Sequence, residues 1–302
     1  MFSLRTFFSH GTAAFLACTV APLSASAQTE PPPYREIWSA GGVSVIAIQD
    51  VRREMPASIF KGTASEQERA KYFSDGKTEG GINLFLLRAG GKIALVDAGG
   101  GPQFQPPGRL PLALAALGIA PRDIDFVLIT HAHGDHIGGL LDQEKRVFPK
   151  ARVLIAKPEL DAWLAMAEKD PANAGAAKVK AMAAAYGADV QTFVFGDTVL
   201  PGITALDAAG HTPGQTVFQI TAGGKSLLLV GDLIHAMSLQ LPLPDECAAY
   251  DMDMPKAIAA RKRIFALSEQ NQTPMSGVHF PFASIVGTVR KDGGGWKFVP
   301  SP

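Results

Sequence analysis

The sequence predicts an α/β fold in which two β-sheets pack face to face with helices on the outside. Three observations carry this. Strand-like runs give way to helix-like runs twice along the chain. Short apolar runs end repeatedly in a histidine or aspartate beside glycine. By eye there is no internal repeat with a period of about 20–50 residues, and no linker long enough to define a second domain.

Each element has its own reason. Residues 43–48, Val-Ser-Val-Ile-Ala-Ile, alternate and read as a strand. Residues 66–73 are polar and helix-prone between breakers. Residues 83–87 and 93–96 read as a hairpin around Ala89-Gly90-Gly91-Lys92. A short helix at 110–117 precedes a buried strand at 123–130, and 152–156 is another strand. Residues 159–169 and 173–186 are helical by composition, the second strongly alanine-rich. Short strands follow between 191 and 231. Residues 255–269 read as an amphipathic helix with lysine and arginine outward, and the chain returns to strand at 285–289 and 296–299.

The chain has 302 residues and two cysteines, and balances 28 basic against 28 acidic groups. Residues 1–27 read as a secretory signal. Arg5 opens it, 11–23 is mostly apolar, and Ala25-Ser26-Ala27 is a small-x-small cleavage site. The stretch is too short and interrupted for a membrane span. Cys18 sits in a weak lipid-attachment context, Phe15-Leu16-Ala17-Cys18. Residues 28–302 are expected as one periplasmic or secreted domain with a Pro-rich leader at 28–33. Removing the signal takes away Arg5 and no acid, leaving a net charge of −1. That argues against a nucleic-acid surface, which needs a basic excess or stripe. Cys247 then stands alone, so no intrachain disulfide can form, and a packed thiol is favoured over a reactive one. The expected partner is a small-molecule substrate, and the sequence is compatible with a homodimer.

His131-Ala132-His133-Gly134-Asp135-His136 holds four potential metal ligands in six residues, directly after the apolar run Phe126-Val127-Leu128-Ile129-Thr130. Such a cluster at the end of a core strand is costly unless something binds it. Imidazole with carboxylate suits zinc and similar divalent ions. In extended chain His131 and His133 point the same way and can grip one ion, while Asp135 and His136 face elsewhere and can serve a second. His211 in Gly210-His211-Thr212-Pro213-Gly214, Asp232 after Leu229-Val230-Gly231, and His279 in Gly277-Val278-His279 are further polar groups at strand ends. Singly, each reads as a turn residue. Together with the first cluster they read as ligands.

The order His-x-His-x-Asp-His, Gly-His-Thr-Pro-Gly, Gly-Asp and a late His resembles the metallo-β-lactamase superfamily over nearly all of the mature chain. Asp97 in Leu95-Val96-Asp97-Ala98-Gly99 matches that family's early aspartate, which supports a ligand rather than being one. His279-Phe280-Pro281-Phe282, Trp296-Lys297-Phe298-Val299-Pro300, and Gly108-Arg109-Leu110 after Phe104 resemble the methyl parathion hydrolase branch, which also contains lactonases. The resemblance implies an αββα sandwich with two metal ions, zinc foremost, at one edge between the sheets. It implies His131, His133 and His211 on one ion and Asp135, His136 and His279 on the other. Asp232 would bridge them, and a metal-bridging hydroxide would attack esters, lactones or phosphotriesters, with Asp135 and Asp232 as the catalytic carboxylates. Many β-lactamases of the superfamily lack the bridging aspartate. Phe104 and Trp163 match aromatic positions of that branch's leaving-group pocket, although the helical spacing of Trp163 suits a core residue equally. The third aromatic of that pocket has no clear counterpart unless Tyr186 serves, which weakens a phosphotriester specialisation. His235, three residues after Asp232, reads as supporting or merely packed. The competing functions are β-lactam hydrolysis, iron-based redox chemistry and a purely structural metal site. Structural zinc sites are usually closed and thiolate-rich, unlike this donor set.

Overall fold

The computed structural model describes residues 32–301. The signal segment, its cleavage site and Cys18 lie outside the described residues, as does most of the leader.

Residues 34–193 build the first seven-stranded sheet. Its order is Tyr34–Ala40, Val43–Pro56, Lys77–Ala89, Lys92–Val96, Phe126–Ile129, Arg152–Ala156 and Val190–Phe193. The first four strands are antiparallel neighbours, and the last four run parallel. Parallel strands are covered on both faces and therefore read as unbroken apolar runs. Val127, Leu128 and Ile129 are fully buried, and so are Val153 and Ile155. Residues 198–300 build the second sheet, also of seven strands. It runs Thr198–Leu200, Ile203–Asp207, Thr216–Ala222, Lys225–Leu229, Met275–Ser276, Gly287–Asp292 and Gly295–Pro300. One continuous apolar core draws buried residues from both sheets.

Register places the polar strand ends. Val96 pairs with Leu128 in parallel, so Asp97 and the segment from Thr130 onward leave adjacent strands at the same end. Leu229 pairs in parallel with Ser276, which sends Asp232 and His279 out side by side from the other sheet. Loops beyond the carboxyl ends of parallel strands are where such folds collect ligands. The two sheets are tied there by Thr216 N–H donating to Thr130 O at 2.9 Å and Asn83 N–H donating to Val278 O at 2.8 Å. Gly231 has φ of +53°, and a Cβ there would lie 3.0 Å from Thr130 Cβ, so glycine allows the close approach.

The helices have local causes. Lys157–Lys169 starts with Pro158 in its first turn. Ala174–Tyr186 is capped by Asn173, whose Oδ1 accepts from Ala176 N–H at 2.9 Å. Met254–Asn271 is capped by Asp253 and carries Pro255 in its first turn. This last helix corrects the expectation of an outward basic face. Lys256 and Lys262 face outward, but Arg261 is 1 % exposed. Its Nε donates to Leu233 O, and Nη1 donates to Pro244 O and Glu246 O, each at 2.8 Å. Three backbone acceptors compensate the buried guanidinium. The penultimate strand also begins later than expected, at Gly287, with Ile285 and Val286 buried in the approach to it. Among the described residues no helix is long and apolar enough to cross a membrane.

Candidate metal centre

The strand Phe126–Ile129 delivers His131 and His133, and the short helix Gly134–Ile137 that follows carries Asp135 and His136. His211 lies between Ile203–Asp207 and Thr216–Ala222. The structure brings all seven sequence-predicted ligands together in two nests. Ligand atoms of His131, His133, His211 and Asp232 lie within 4.8 Å of one another, and so do those of Asp135, His136 and His279. His133 Nδ1 is 3.0 Å from His131 Nε2 and 2.9 Å from His211 Nε2. Nitrogens on one tetrahedral zinc stand about 3.3 Å apart, given Zn–N of about 2.0–2.1 Å. Asp232 belongs to both nests. Its Oδ2 lies 3.7 Å from His131 Nε2, 3.5 Å from His211 Nε2 and 3.0 Å from His279 Nε2, while Oδ1 is 3.2 Å from His136 Nε2.

The outer nitrogens identify what the inner atoms need. His136 Nδ1 donates to Asp97 Oδ2 at 2.8 Å, His211 Nδ1 donates to Asp251 Oδ1 at 2.7 Å, and His279 Nδ1 donates to Gly81 O at 2.6 Å. In the neutral ring the other nitrogen then presents a lone pair inward. His136 Nε2 and Asp232 Oδ1 are buried without hydrogen-bond partners. Two acceptors at that spacing repel unless positive charge lies between them. The titration behaviour expresses the same demand. Burial opposes charge on His136 and His279, but Asp232, acting with Asp97 and Asp135 at His136 and with Asp135 and Gly81 O at His279, raises both, His136 strongly. Burial would raise Asp232, yet His279, His136 and His131 hold it well below the usual carboxylate range. Burial keeps His131 far below the histidine range and, with His211, brings His133 down to about 3. A divalent cation would displace the protons that His136 and His279 otherwise attract. The donor set fits two such ions.

Sequence reasoning missed much of the support. Asp97 was expected, and it is fully buried with φ of +61°. Thr130 N–H and Thr130 Oγ1 donate to it at 2.8 and 2.7 Å, which holds this strained backbone in place. Glu159 was not expected. Its Oε1 accepts from Ala132 N–H and Trp163 Nε1–H, each at 2.8 Å, and its Oε2 accepts from Gly214 N–H at 2.7 Å. One buried carboxylate thus clamps both the loop of His131 and His133 and the loop of His211. The only signal was a glutamate four residues before a tryptophan, the spacing that lets two helical side chains meet. Asp251, also missed, accepts from His211 and lies 3.8 Å from Arg261 Nη2. Burial would raise it, but the His211 hydrogen bond and the charges of His211, His235 and Arg261 together bring it down to about 2.

A cavity of about 280 Å³ opens over the nests, and Phe104, Met55, Arg53 and Tyr250 are in its wall. Trp163 is not, which corrects its assignment to the pocket. It is 4 % exposed, hydrogen-bonded to Glu159, and packs edge-on against His133 at 5.7 Å between ring centroids. Tyr186 is likewise interior, its hydroxyl donating to Leu140 O at 3.1 Å. Besides Phe104 the wall carries Tyr250, at 47 % exposure, in a loop with no periodic signal. His235 lines the cavity too, with Nε2 3.3 Å from Asp232 Oδ2 and a buried Nδ1 lacking a hydrogen-bond partner.

Known proteins resemble this chain to different extents. Among solved structures, the hydrolase AbOPH of the beta lactamase superfamily superposes with a TM-score of 0.82 at 27 % identity, covering 90 % of this chain and 99 % of its own. AidC, a dizinc quorum-quenching lactonase in complex with a product, N-hexanoyl-L-homoserine, superposes with a TM-score of 0.78 at 25 % identity, covering 89 % and 97 %. Among curated sequences, the uncharacterized protein YobT of Bacillus subtilis is 28 % identical over 163 residues, 50 % of this chain and 61 % of YobT. Metallo-beta-lactamase domain-containing protein 1 of Mus musculus is 38 % identical over 96 residues, 32 % of this chain and 33 % of the mouse protein. The chain therefore spans less than two thirds of these curated relatives. The family pattern described as the Metallo-beta-lactamase superfamily matches residues 78–286, a span that contains every ligand of both nests. On that match the chain belongs to the metallo-beta-lactamase superfamily.

Proposed function

We propose that this protein is a dinuclear metal-dependent hydrolase of carboxylic esters and lactones, with zinc as the first candidate metal. The observation that carries it is Asp232, one carboxylate within reach of both nests, its Oδ2 beside His131, His211 and His279 and its Oδ1 beside His136. A pair of divalent ions held there would lower the pKa of water to about 7 and polarise the scissile carbonyl. The chain's own groups do the rest. Asp135 and Asp232 are the two carboxylates in the cavity wall, and Asp135 is the more open, at 20 % against 3 %. Its greater openness to the cavity is what would let it take a proton and return it. Phe104, Met55 and Tyr250 offer apolar surface to an acyl or aryl group. The ligand nitrogens are oriented by Asp97, Asp251 and Gly81, which sets ring direction before substrate arrives. The product-bound lactonase at 25 % identity supports the lactone arm of this reading. Export to the periplasm or exterior is part of the proposal, resting on residues 1–27. Fractionation and N-terminal sequencing should find the mature chain outside the cytoplasm, beginning at Gln28.

The direct test combines elemental analysis with a panel of 4-nitrophenyl esters, acyl-homoserine lactones, a phosphotriester and nitrocefin. The expected result is about two metal ions per chain and turnover of esters and lactones above the rest. Nitrocefin as the best substrate, or one metal per chain under zinc-replete conditions, would overturn it.

A further inference from the structure

Arg53 stands on the strand Val43–Pro56, and strand alternation sends it to the same face as Met55. Both side chains line the cavity above the two nests, and among the described residues Arg53 is the only lysine or arginine in that wall. Its neighbour Arg52 is engaged, with Nε donating to Gln49 Oε1 at 2.9 Å. Arg53 has no comparable partner among the described residues. Glu54, the adjacent acid, pairs with Lys77 at 3.1 Å and leaves Arg53 uncompensated. The only carboxylates in the wall, Asp135 and Asp232, are committed to the nests. Across the sheet Arg53 pairs with Gly80, where a Cβ would lie 3.4 Å from Met55 Cγ and 3.5 Å from His279 O.

A neutral ester needs no such cation. A guanidinium fork beside an apolar wall matches a carboxylate at the end of an apolar chain or ring, because the fork can meet both oxygens. We propose that Arg53 is a specificity-determining residue and that the substrate is an ester or lactone bearing a free carboxylate remote from the bond that breaks. This rests on the hydrolase reading above. Arg53 binds that carboxylate in the ground state and the transition state alike, so its contribution falls on KM more than on kcat.

The experiment compares mono-4-nitrophenyl glutarate, which carries a carboxylate, with the neutral 4-nitrophenyl pentanoate, on the metal-loaded enzyme and its R53Q and R53K variants. The expected result is a wild-type preference for the glutarate. In R53Q the glutarate-to-pentanoate ratio of kcat/KM should fall about tenfold or more, the size of one charge-assisted hydrogen bond, mainly through KM. R53K, which keeps the charge without the fork, should retain part of the preference. A ratio that stays within about twofold of wild type in R53Q overturns the role of Arg53 and leaves the hydrolase reading standing. If the metal-loaded enzyme turns over neither ester, this inference falls, and the hydrolase reading falls with it if the lactones of the panel above also go unhydrolysed.

Discussion

Replacing Glu159 by glutamine changes one atom and tests how the two ligand loops are held. The wild-type carboxylate accepts three hydrogen bonds, two from Ala132 N–H and Trp163 Nε1–H at one oxygen and one from Gly214 N–H at the other. Glutamine keeps a single acceptor. Its better orientation leaves the carbonyl with Ala132 and Trp163 and turns the NH2 toward Gly214, donor against donor. One buried N–H is then unsatisfied, at a cost of about 1–3 kcal/mol. A chain of this size shifts its melting temperature by about 2 °C per kcal/mol, so E159Q should melt about 2–6 °C lower. The lost contact lies in the His211 loop, so affinity for the ion in the nest of His131, His133 and His211 should drop about tenfold or more. Thermal melting of metal-free and metal-loaded protein, with chelator competition, reads both effects. D161N is the control, since the Lys157–Asp161 pair is 58 % exposed at both ends, and surface pairs contribute about 0–1 kcal/mol. E159Q melting within 1 °C of wild type, with unchanged metal retention, would refute the clamp.

Other expectations are narrower. D232N should bind metal with a stoichiometry nearer one than two and lose most esterase activity while still melting cooperatively; near-normal turnover with both metals retained would remove Asp232 from the reaction. F104A should lose about 1–3 kcal/mol of discrimination for a nitrophenyl ester over a small aliphatic lactone, whereas W163F should leave that ratio unchanged and lower stability by about 1 kcal/mol; equal losses of discrimination would return Trp163 to the pocket. The Cys247 thiol is buried, and burial, reinforced by Asp251, pushes it up to about 11. Its reactive thiolate is therefore scarce at pH 8, and the chain from Gln28 onward should resist iodoacetamide until denatured; rapid labelling of the native protein would contradict that environment.

Residues 131–136 were legible because polar ligands crowd against an apolar strand, a pattern local enough to see in six residues. The parallel strands were legible for the opposite reason, as unbroken apolar runs such as Val153-Leu154-Ile155. Glu159, Asp251 and Arg261 were not. Each is a charged residue on or beside a helix, where the common fate is solvent, and each acquires its role through partners 15 to 55 positions away. Trp163 shows the same limit. Its spacing fitted helix core and pocket equally, and only the packing against His133 and the bond to Glu159 decide between them. Tyr250 sits in a loop without periodicity, so nothing in its surroundings announced the cavity.

The chain finishes one sheet at Phe193 before starting the other at Thr198, and this has a consequence for assembly. Each nest takes ligands from both halves: His131 and His133 meet His211, and Asp135 and His136 meet His279. Neither half owns a complete binding site. Metal thus reports on the join, and each ion bound rewards the halves for being together. A chain nicked at the exposed Val194 should behave as a pair of complementary fragments, their association strengthened by the same metal that catalysis would use. Loading of the centre is thereby coupled to the joining of the two halves.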